Sequence, residues 1–256
     1  MHLLFQRRKT AMKIIEVNDY EQMSEKAAKY IINKVTHFPR ITLGLATGGT
    51  PVGTYRNLIA DHQQNGTSYQ NVTSFNLDEY VGLTGANKNS YRYFMDDQLF
   101  NHIDIKKSNT HVPSGEPLKT DKECTRYEEL LSKHGGIDLQ ILGIGSNGHI
   151  GFNEPGTSFR STTHVVELTS STIKANSRYF DRIEDVPTRA ITMGISTIMK
   201  SKEILLLVSG GNKKDALVKL LNSEINESFP ASVLKNHPCV TIIADKAAVA
   251  DLKVYS

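Results

Sequence analysis

The chain has 256 residues, 39% of them hydrophobic, and a formal net charge of +3. This length is enough to bury a sizeable core and is typical of a single α/β domain. Three positive charges, Arg7, Arg8 and Lys9, lie in an N-terminal stretch without a clear structural pattern, and the rest of the chain is formally neutral. Because no concentrated basic face is indicated, we expect no nucleic acid and no membrane among its partners.

Residues 1–11 precede the first regular pattern, MKIIEV, and we expect them to form a disordered extension, with Met12 as a candidate natural start. Their apolar run from Leu3 to Phe5 is too short for a signal peptide. The longest strongly apolar run, Ile204 to Val208, has five residues. A membrane-spanning helix needs about 20, so the sequence predicts a protein without such a helix.

The two cysteines, Cys124 and Cys239, are distant in sequence and form no CxxC motif. This usage is typical of reduced cysteines in a core rather than of a disulfide framework. We therefore expect a cytoplasmic protein.

Short apolar runs alternate with amphipathic segments along the chain. The apolar runs lack strict polar alternation, which indicates strands buried on both faces; they are KIIEV, ITLGLA, VTSFNL, LQILGIG, AITMGI, EILLLVS and CVTIIAD. Helical spacing follows Asp19, a candidate N-cap, and recurs at residues 51–64, 90–100, 121–133 and 212–221. The sequence predicts one Rossmann-like α/β domain over 12–256, with an open, mostly parallel sheet and helices on both faces.

Ligands of such sheets bind at the carboxyl ends of the strands, and the first candidate loop there is ATGGTP, residues 46–51. Thr50 is a good N-cap, Pro51 suits the first helical position, and Gly48 and Gly49 let backbone N–H groups approach an anion. These residues fit a phosphate cradle and fit an ordinary strand-to-helix turn equally well. The spacing matches neither a Walker loop nor a dinucleotide fingerprint.

Two adjacent carboxylates, Asp78 and Glu79, follow the apolar run VTSFNL. They fit a solvated acidic turn, or a cleft in which burial raises the pKa of one carboxyl group. Neighbouring side chains usually point apart, so we expect at most one of the two to face a substrate. Their position in the sequence does not show which of the two this is.

The stretch GSNGHIGFNEP, residues 145–155, places His149 among glycines and Glu154 five residues later. A metal site needs further His, Cys or carboxylate ligands at suitable spacing, and a nucleophile elbow needs GxSxG; neither accompanies His149. The remaining chemical use is proton transfer, with Asn147 or Glu154 fixing the tautomer. A structural histidine bonded to loop carbonyls stays the alternative.

Four motifs occur in the order ATGGTP, FNLDEYVGL, GIGSNGHIGFNEP and NSRYF. In this order and at these separations the chain resembles the glucosamine-6-phosphate deaminases, within the sugar-phosphate isomerase and lactonase superfamily, from about Met12 to the C-terminus. ATGGTP alone is weakly specific, whereas FNLDEYVGL together with GHIGFNEP is highly specific.

The resemblance implies an enzyme without a cofactor or metal that converts glucosamine 6-phosphate and water into fructose 6-phosphate and ammonia. It implies that His149 opens the sugar ring, supported by Glu154 and assisted by Asn147. It also implies that Asp78 removes the hydrogen at C2 and returns it to C1.

The resemblance further implies a phosphate site made by Thr47, Gly48, Gly49 and Thr50 together with two cations, Arg178 and Lys213. The polar segment at 156–187 resembles the family's mobile lid, which would exclude water.

Two alternatives share parts of this pattern. A 6-phosphogluconolactonase has a similar GH loop but needs no base for C2, and the FNLDEY and NEP motifs favour the deaminase. A non-catalytic sugar-phosphate sensor fused to a helix-turn-helix module would need more than roughly a dozen residues before the first strand.

Allosteric members of the family bind a regulatory sugar phosphate between subunits through basic side chains. Here the stretch STTHVVEL offers His164, Val166 and Glu167 at the corresponding place, and the sequence stops at Ser256. A dianion would find too little positive charge there. We expect hyperbolic kinetics and a monomer or small homo-oligomer.

Overall fold

The computed structural model of the chain describes residues 12–116 and 119–250. The extension expected at 1–11 lies outside these residues. Within them, strands and helices alternate as the sequence pattern predicts. The described helices are all too short or too polar to cross a membrane.

A parallel sheet forms the centre of the described chain. Its seven strands lie in the spatial order Lys13–Val17 (β1), Val240–Asp245 (β10), Glu203–Val208 (β9), Leu139–Leu142 (β6), Thr42–Leu45 (β2), Thr73–Asn76 (β3) and Thr110–His111 (β5). The chain runs from β2 outward through β3 and β5, then resumes at β6 on the other side of β2. The crevice at this reversal, beyond the carboxyl ends of β2 and β6, is where sheets of this kind bind ligands.

A second, antiparallel sheet covers that end of the molecule. It pairs Asp78–Tyr80 (β4) with Arg189–Thr192 (β8) and β8 with His164–Glu167 (β7). The strand predicted at AITMGI therefore exists but lies outside the parallel sheet. Its apolar residues predict burial, which either sheet satisfies. The three-residue β4 is too short to stand out in the sequence, and β7 is only partly buried and carries no apolar run.

Helices cover both faces of the parallel sheet. They are Tyr20–His37 (α1), Gly49–Asn65 (α2), Tyr91–Met95 (α3), Thr120–Lys133 (α4), Ser170–Asn176 (α5), Ile195–Ile198 (α6), Lys214–Asn222 (α7) and Lys246–Val249 (α8). Asp19 caps α1 as predicted, accepting a 2.9 Å hydrogen bond from the backbone N–H of Gln22. The N-cap predicted at Thr50 is wrong, because Gly48, at φ 89°, turns the chain early and α2 begins at Gly49.

Alternation along the strands divides the core into two clusters. Leu205 of β9 packs with α1 and α2 on one face, whereas Leu206 packs with α4, α7 and α8 on the other. Two such layers bury the central strands β2, β6, β9 and β10 completely, which is why these strands read as continuous apolar runs, whereas the edge strand β1 stays partly exposed. Polar side chains that remain buried at the carboxyl ends therefore stand out as candidates for chemistry.

Candidate active site

A cleft of about 880 Å³ opens at the reversal point of the parallel sheet. Nine of the ten predicted site residues line it, and the tenth, Glu154, lies behind His149 and contacts it. The nine are Thr47, Gly48, Gly49, Thr50, Asp78, Asn147, His149, Arg178 and Lys213. Residues more than 160 positions apart in the sequence thus meet in one site, because the loops after β2 and β6 and the segment before α7 share one edge of the sheet.

The first helical turn of α2 forms one end of the cleft. Gly48, at φ 89°, brings the backbone around so that the N-terminal N–H groups of this 17-residue helix face the cleft. Unpaired N–H groups and the helix dipole make such a terminus favourable for an anion. Tyr20, which also lines the cleft, fixes the turn, since its hydroxyl donates to the carbonyl of Gly49 at 2.9 Å and accepts from Gly53 N–H at 2.8 Å.

Two cations face the same end of the cleft. Burial lowers the pKa of Lys213, and the nearby positive charge of Arg178 lowers it further. Arg178 lies over the ring of Tyr179, with its guanidinium carbon 4.7 Å from the ring centroid. Two like charges held together at a helix N-terminus repel each other, and a bound dianion would turn that repulsion into attraction.

Asp78 and Glu79 differ in their surroundings, which the sequence could not show. Asp78 lines the cleft, whereas both oxygens of Glu79 accept backbone N–H groups, from Tyr80 and Tyr91 at Oε1 and from Arg92 at Oε2, at 2.8 to 3.0 Å. Glu79 therefore holds the start of α3 in place. Asp78 is the carboxylate that faces the cleft.

Both of these carboxyl groups are almost fully buried. Burial, and secondly the charge of Glu79, raise the pKa of Asp78 to about 8. Burial also raises the pKa of Glu79, against the opposing effect of its three N–H bonds. A buried carboxylate with a raised pKa is a stronger base than a solvated one, which suits removal of a proton from carbon.

His149 and Glu154 form a second reactive group on the β6 side. Nδ1 of His149 lies 3.6 Å from Oε2 of Glu154, within ion-pair range but too long for a hydrogen bond. That nitrogen is buried without a hydrogen-bond partner among the described residues. Asn147 contacts both residues, since its Nδ2 donates to Glu154 Oε2 at 2.7 Å and its Oδ1 accepts from the backbone N–H of His149 at 3.2 Å.

Glu154 is held in its charged form. Burial acts to raise its pKa, but the polar groups of His149, Thr172 and Asn147 around the carboxylate outweigh burial and lower the pKa to about 2. The carboxylate is therefore ionised at neutral pH. It is placed to stabilise a positive charge on the imidazole when His149 takes up a proton.

The glycines of this loop leave room for the imidazole. A Cβ atom on Gly145 would lie 2.3 Å from Cε1 of His149, and one on Gly148, at φ 88°, would lie 2.2 Å from the ring of Phe229. Real Cβ atoms do not approach other atoms so closely. The loop needs glycine at position 145 to leave room for the His149 ring and at position 148 to leave room for the Phe229 ring.

Some residues at the cleft were not found by sequence reasoning. They include Lys88, Tyr91, Thr172 and Asn176. Thr172 and Asn176 belong to α5, within the segment predicted as a lid. Thr172 lies in no motif, and Asn176 begins the NSRYF motif, from which only Arg178 was predicted as a site residue. Tyr91 follows the N-cap Ser90, and its aromatic ring reads in sequence as core.

Comparisons with known proteins agree with this site. The family model described as "Glucosamine-6-phosphate isomerases/6-phosphogluconolactonase" matches residues 18–242. A glucosamine-6-phosphate deaminase of Shouchella clausii is 58% identical over 93% of this chain and 97% of its own length. Glucosamine-6-phosphate deaminase 1 of Bacillus subtilis is 52% identical over 93% of this chain and 99% of its own length.

Solved structures give the same relationship. A monomeric glucosamine-6-phosphate deaminase is 51% identical to this chain and superimposes with a TM-score of 0.92 over 93% of this chain and 99% of its own. A 6-phosphogluconolactonase from Trypanosoma cruzi, at 18% identity and a TM-score of 0.77 over 96% of this chain and 98% of its own, shares the fold. Sequence and structure together show that the chain belongs to the glucosamine-6-phosphate isomerase and 6-phosphogluconolactonase family.

Proposed function

We propose that this protein is a glucosamine-6-phosphate deaminase, which converts glucosamine 6-phosphate and water into fructose 6-phosphate and ammonia. The observation that carries the proposal is the sharing of one cleft by three parts: the base Asp78, the His149–Glu154 pair and an anion-binding helix terminus with two cations. The names of relatives at 52 to 58% identity support the same activity.

The phosphate group of the substrate binds at the N-terminus of α2. Backbone and hydroxyl donors of residues 47–50 surround it, and Arg178 and Lys213 neutralise its charge. From the phosphate bound at this helix terminus, the sugar extends toward Asp78 and His149. The phosphate thereby orients a flexible substrate before any bond changes.

Ring opening is assigned to His149. The imidazole moves a proton between the anomeric hydroxyl and the ring oxygen, so that the C1–O5 bond breaks and C1 becomes an aldehyde. During the transfer the imidazole is positively charged. The ionised carboxylate of Glu154, 3.6 Å away, stabilises that charge.

Asp78 then acts on the open chain. The aldehyde acidifies the C2 hydrogen, and Asp78 removes it. The electron pair forms the C1–C2 double bond of an enolamine while the C1=O π bond opens, and its electron pair moves to O1, which is protonated to a hydroxyl. Asp78 returns the proton to C1, which leaves an imine at C2. Water adds to this carbon and the C2–N bond breaks, giving the ketone of fructose 6-phosphate and free ammonia.

The segment at 156–187 supplies the cover of the site. It contains β7 and α5 and carries Arg178 just beyond the end of α5. Movement of this segment onto bound substrate would bring Arg178 to the phosphate and exclude water from the enolamine.

The alternative activity in the family is hydrolysis of 6-phosphogluconolactone, which needs no base for C2. The lactonase structures share under 25% identity with this chain and support the fold alone. Asp78, buried and facing the cleft, favours the isomerising activity. Ammonia release from glucosamine 6-phosphate, measured beside acid release from 6-phosphogluconolactone, distinguishes the two: the deaminase gives only the first.

We expect the enzyme to act in the cytoplasm as a monomer. Both cysteines are free, and the substrate is a phosphorylated metabolite. The structurally similar deaminase is described as monomeric.

A further inference from the structure

Thr172 contacts the carboxylate of Glu154 from the lid side of the cleft. Its Oγ1 donates to Oε1 of Glu154 at 2.5 Å, and the threonine is nine-tenths buried. The other carboxylate oxygen, Oε2, receives Asn147 and faces His149. The two oxygens of Glu154 thus have separate partners, one on α5 and the others on the loop after β6.

This division fixes a torsion that is otherwise loose. Rotation of a glutamate carboxylate about its last bond is weakly restricted, so a glutamate by itself does not present one oxygen to a chosen neighbour. Thr172 holds Oε1 on one side, which leaves Oε2 directed toward His149. A rotated carboxylate would stabilise the imidazolium less well.

The position of Thr172 also connects two parts of the site. It lies on α5, and Arg178, assigned to the phosphate, follows immediately after this helix. In the structure Thr172 already rests on Glu154, so α5 links Arg178 to the proton-transfer pair.

We propose that Thr172 is a positioning residue, whose hydroxyl orients Glu154 toward His149 for ring opening. The inference rests on the proposed deaminase activity. It adds a residue that acts through Glu154 and that touches no reacting atom.

The test compares two threonines that bond to different parts of Glu154. Thr172 bonds to the carboxylate, whereas Thr157 Oγ1 donates to the backbone carbonyl of Glu154 at 2.7 Å. Thr172→Val should lower kcat for glucosamine 6-phosphate about tenfold, equivalent to about 1.4 kcal/mol, with a smaller change in KM. Thr172→Ser should restore kcat, and Thr157→Val should stay within twofold of the wild type.

Equal kcat values for Thr172→Val and Thr157→Val would overturn the inference, as would failure of serine to restore the rate. Thermal unfolding of each variant shows whether it has lost its fold. If valine at position 172 destabilises α5, the Thr172→Ser variant still tests whether the hydroxyl group is needed.

A second readout does not depend on turnover. Nuclear magnetic resonance of the Glu154 carboxyl carbon should show an ionised group down to about pH 3 in the wild type and in Thr157→Val, since its pKa is about 2. In Thr172→Val the pKa should rise, and titration should begin at a higher pH. An unchanged titration would contradict the positioning role, whereas absence of ammonia release by the wild type would contradict the deaminase activity alone.

Discussion

Asn147 donates a 2.7 Å hydrogen bond to the carboxylate of Glu154, so the asparagine of the GSNGHIG loop restrains the acidic residue that faces His149. An aspartate at this position would place a second negative charge against Glu154, and one of the two carboxyl groups would then favour its protonated form. Asparagine avoids this conflict and keeps a single ionised carboxylate beside the imidazole.

The first prediction ranks these two residues. Glu154→Gln removes the charge that stabilises the imidazolium, and we expect kcat to fall by about 10² to 10⁴. Asn147→Ala leaves the charge and removes one restraint on it, and we expect a loss of about tenfold. Steady-state ammonia release gives both values. Equal losses would mean that the asparagine is essential to proton transfer.

The second prediction concerns proton removal from C2. Asp78→Asn keeps the shape of the side chain and removes the base, so deamination should fall by at least about 10² and exchange of the C2 hydrogen with deuterated water should stop. Binding of the sugar phosphate should survive, because Asp78 is not part of the anion site. Exchange that persists in this variant would assign the base to another group.

The third prediction concerns pH. Asp78 must be ionised to act as a base, and its pKa is raised to about 8 by burial and by Glu79. The value of kcat/KM should therefore increase as the pH rises toward about 8. If kcat/KM instead increases around the ordinary pKa of an aspartate, Asp78 is not buried in the working enzyme.

The same group predicts a fourth result, on stability. Because the folded-state pKa of Asp78 lies above its unfolded value of about 4, its contribution to the free energy of unfolding is present at low pH and is lost as the pH rises through about 8. Asparagine does not ionise, so the Asp78→Asn variant does not lose this stability as the pH rises. The variant should gain thermal stability over the wild type at pH 9, and gain less at pH 5, in calorimetric scans.

The fifth prediction concerns the phosphate. Lys213→Gln should raise KM for glucosamine 6-phosphate about 10- to 100-fold with a smaller change in kcat, because charge-assisted contacts to the phosphate hold the substrate. A control, Lys219→Gln, removes a cation of α7 that lies over the Phe229 ring, 4.7 Å from its centroid, and should leave KM unchanged. A similar rise in both variants would indicate only a general effect of charge.

Much of this arrangement follows from the sequence. Continuous apolar runs predict a buried parallel sheet, and the motifs after them predict that Asp78 and His149 meet at its carboxyl edge. The local residues alone left the choice between Asp78 and Glu79 open, and only the family resemblance selected Asp78, because the choice depends on backbone N–H groups of Tyr91 and Arg92, 12 and 13 residues from Glu79. No local pattern records such a contact.

Two further features of the structure could not be predicted from the local sequence. Thr172 reaches Glu154 across 18 residues, and its neighbours suggest only a polar segment. The early start of α2 depends on the positive φ of Gly48, which ATGGTP permits but does not require. In both cases the sequence permits several local arrangements, and the folded chain adopts one of them.

The space beside Gly145 bears on how relatives of this enzyme should be classified. The His149 ring occupies the volume that any side chain at position 145 would need. A relative that retains Asp78, His149 and Glu154 but carries alanine at position 145 would have to move its imidazole out of this position. Such a protein would match every polar motif of an active deaminase with its proton-transfer group displaced, so glycine at position 145 is a further criterion for catalytic competence.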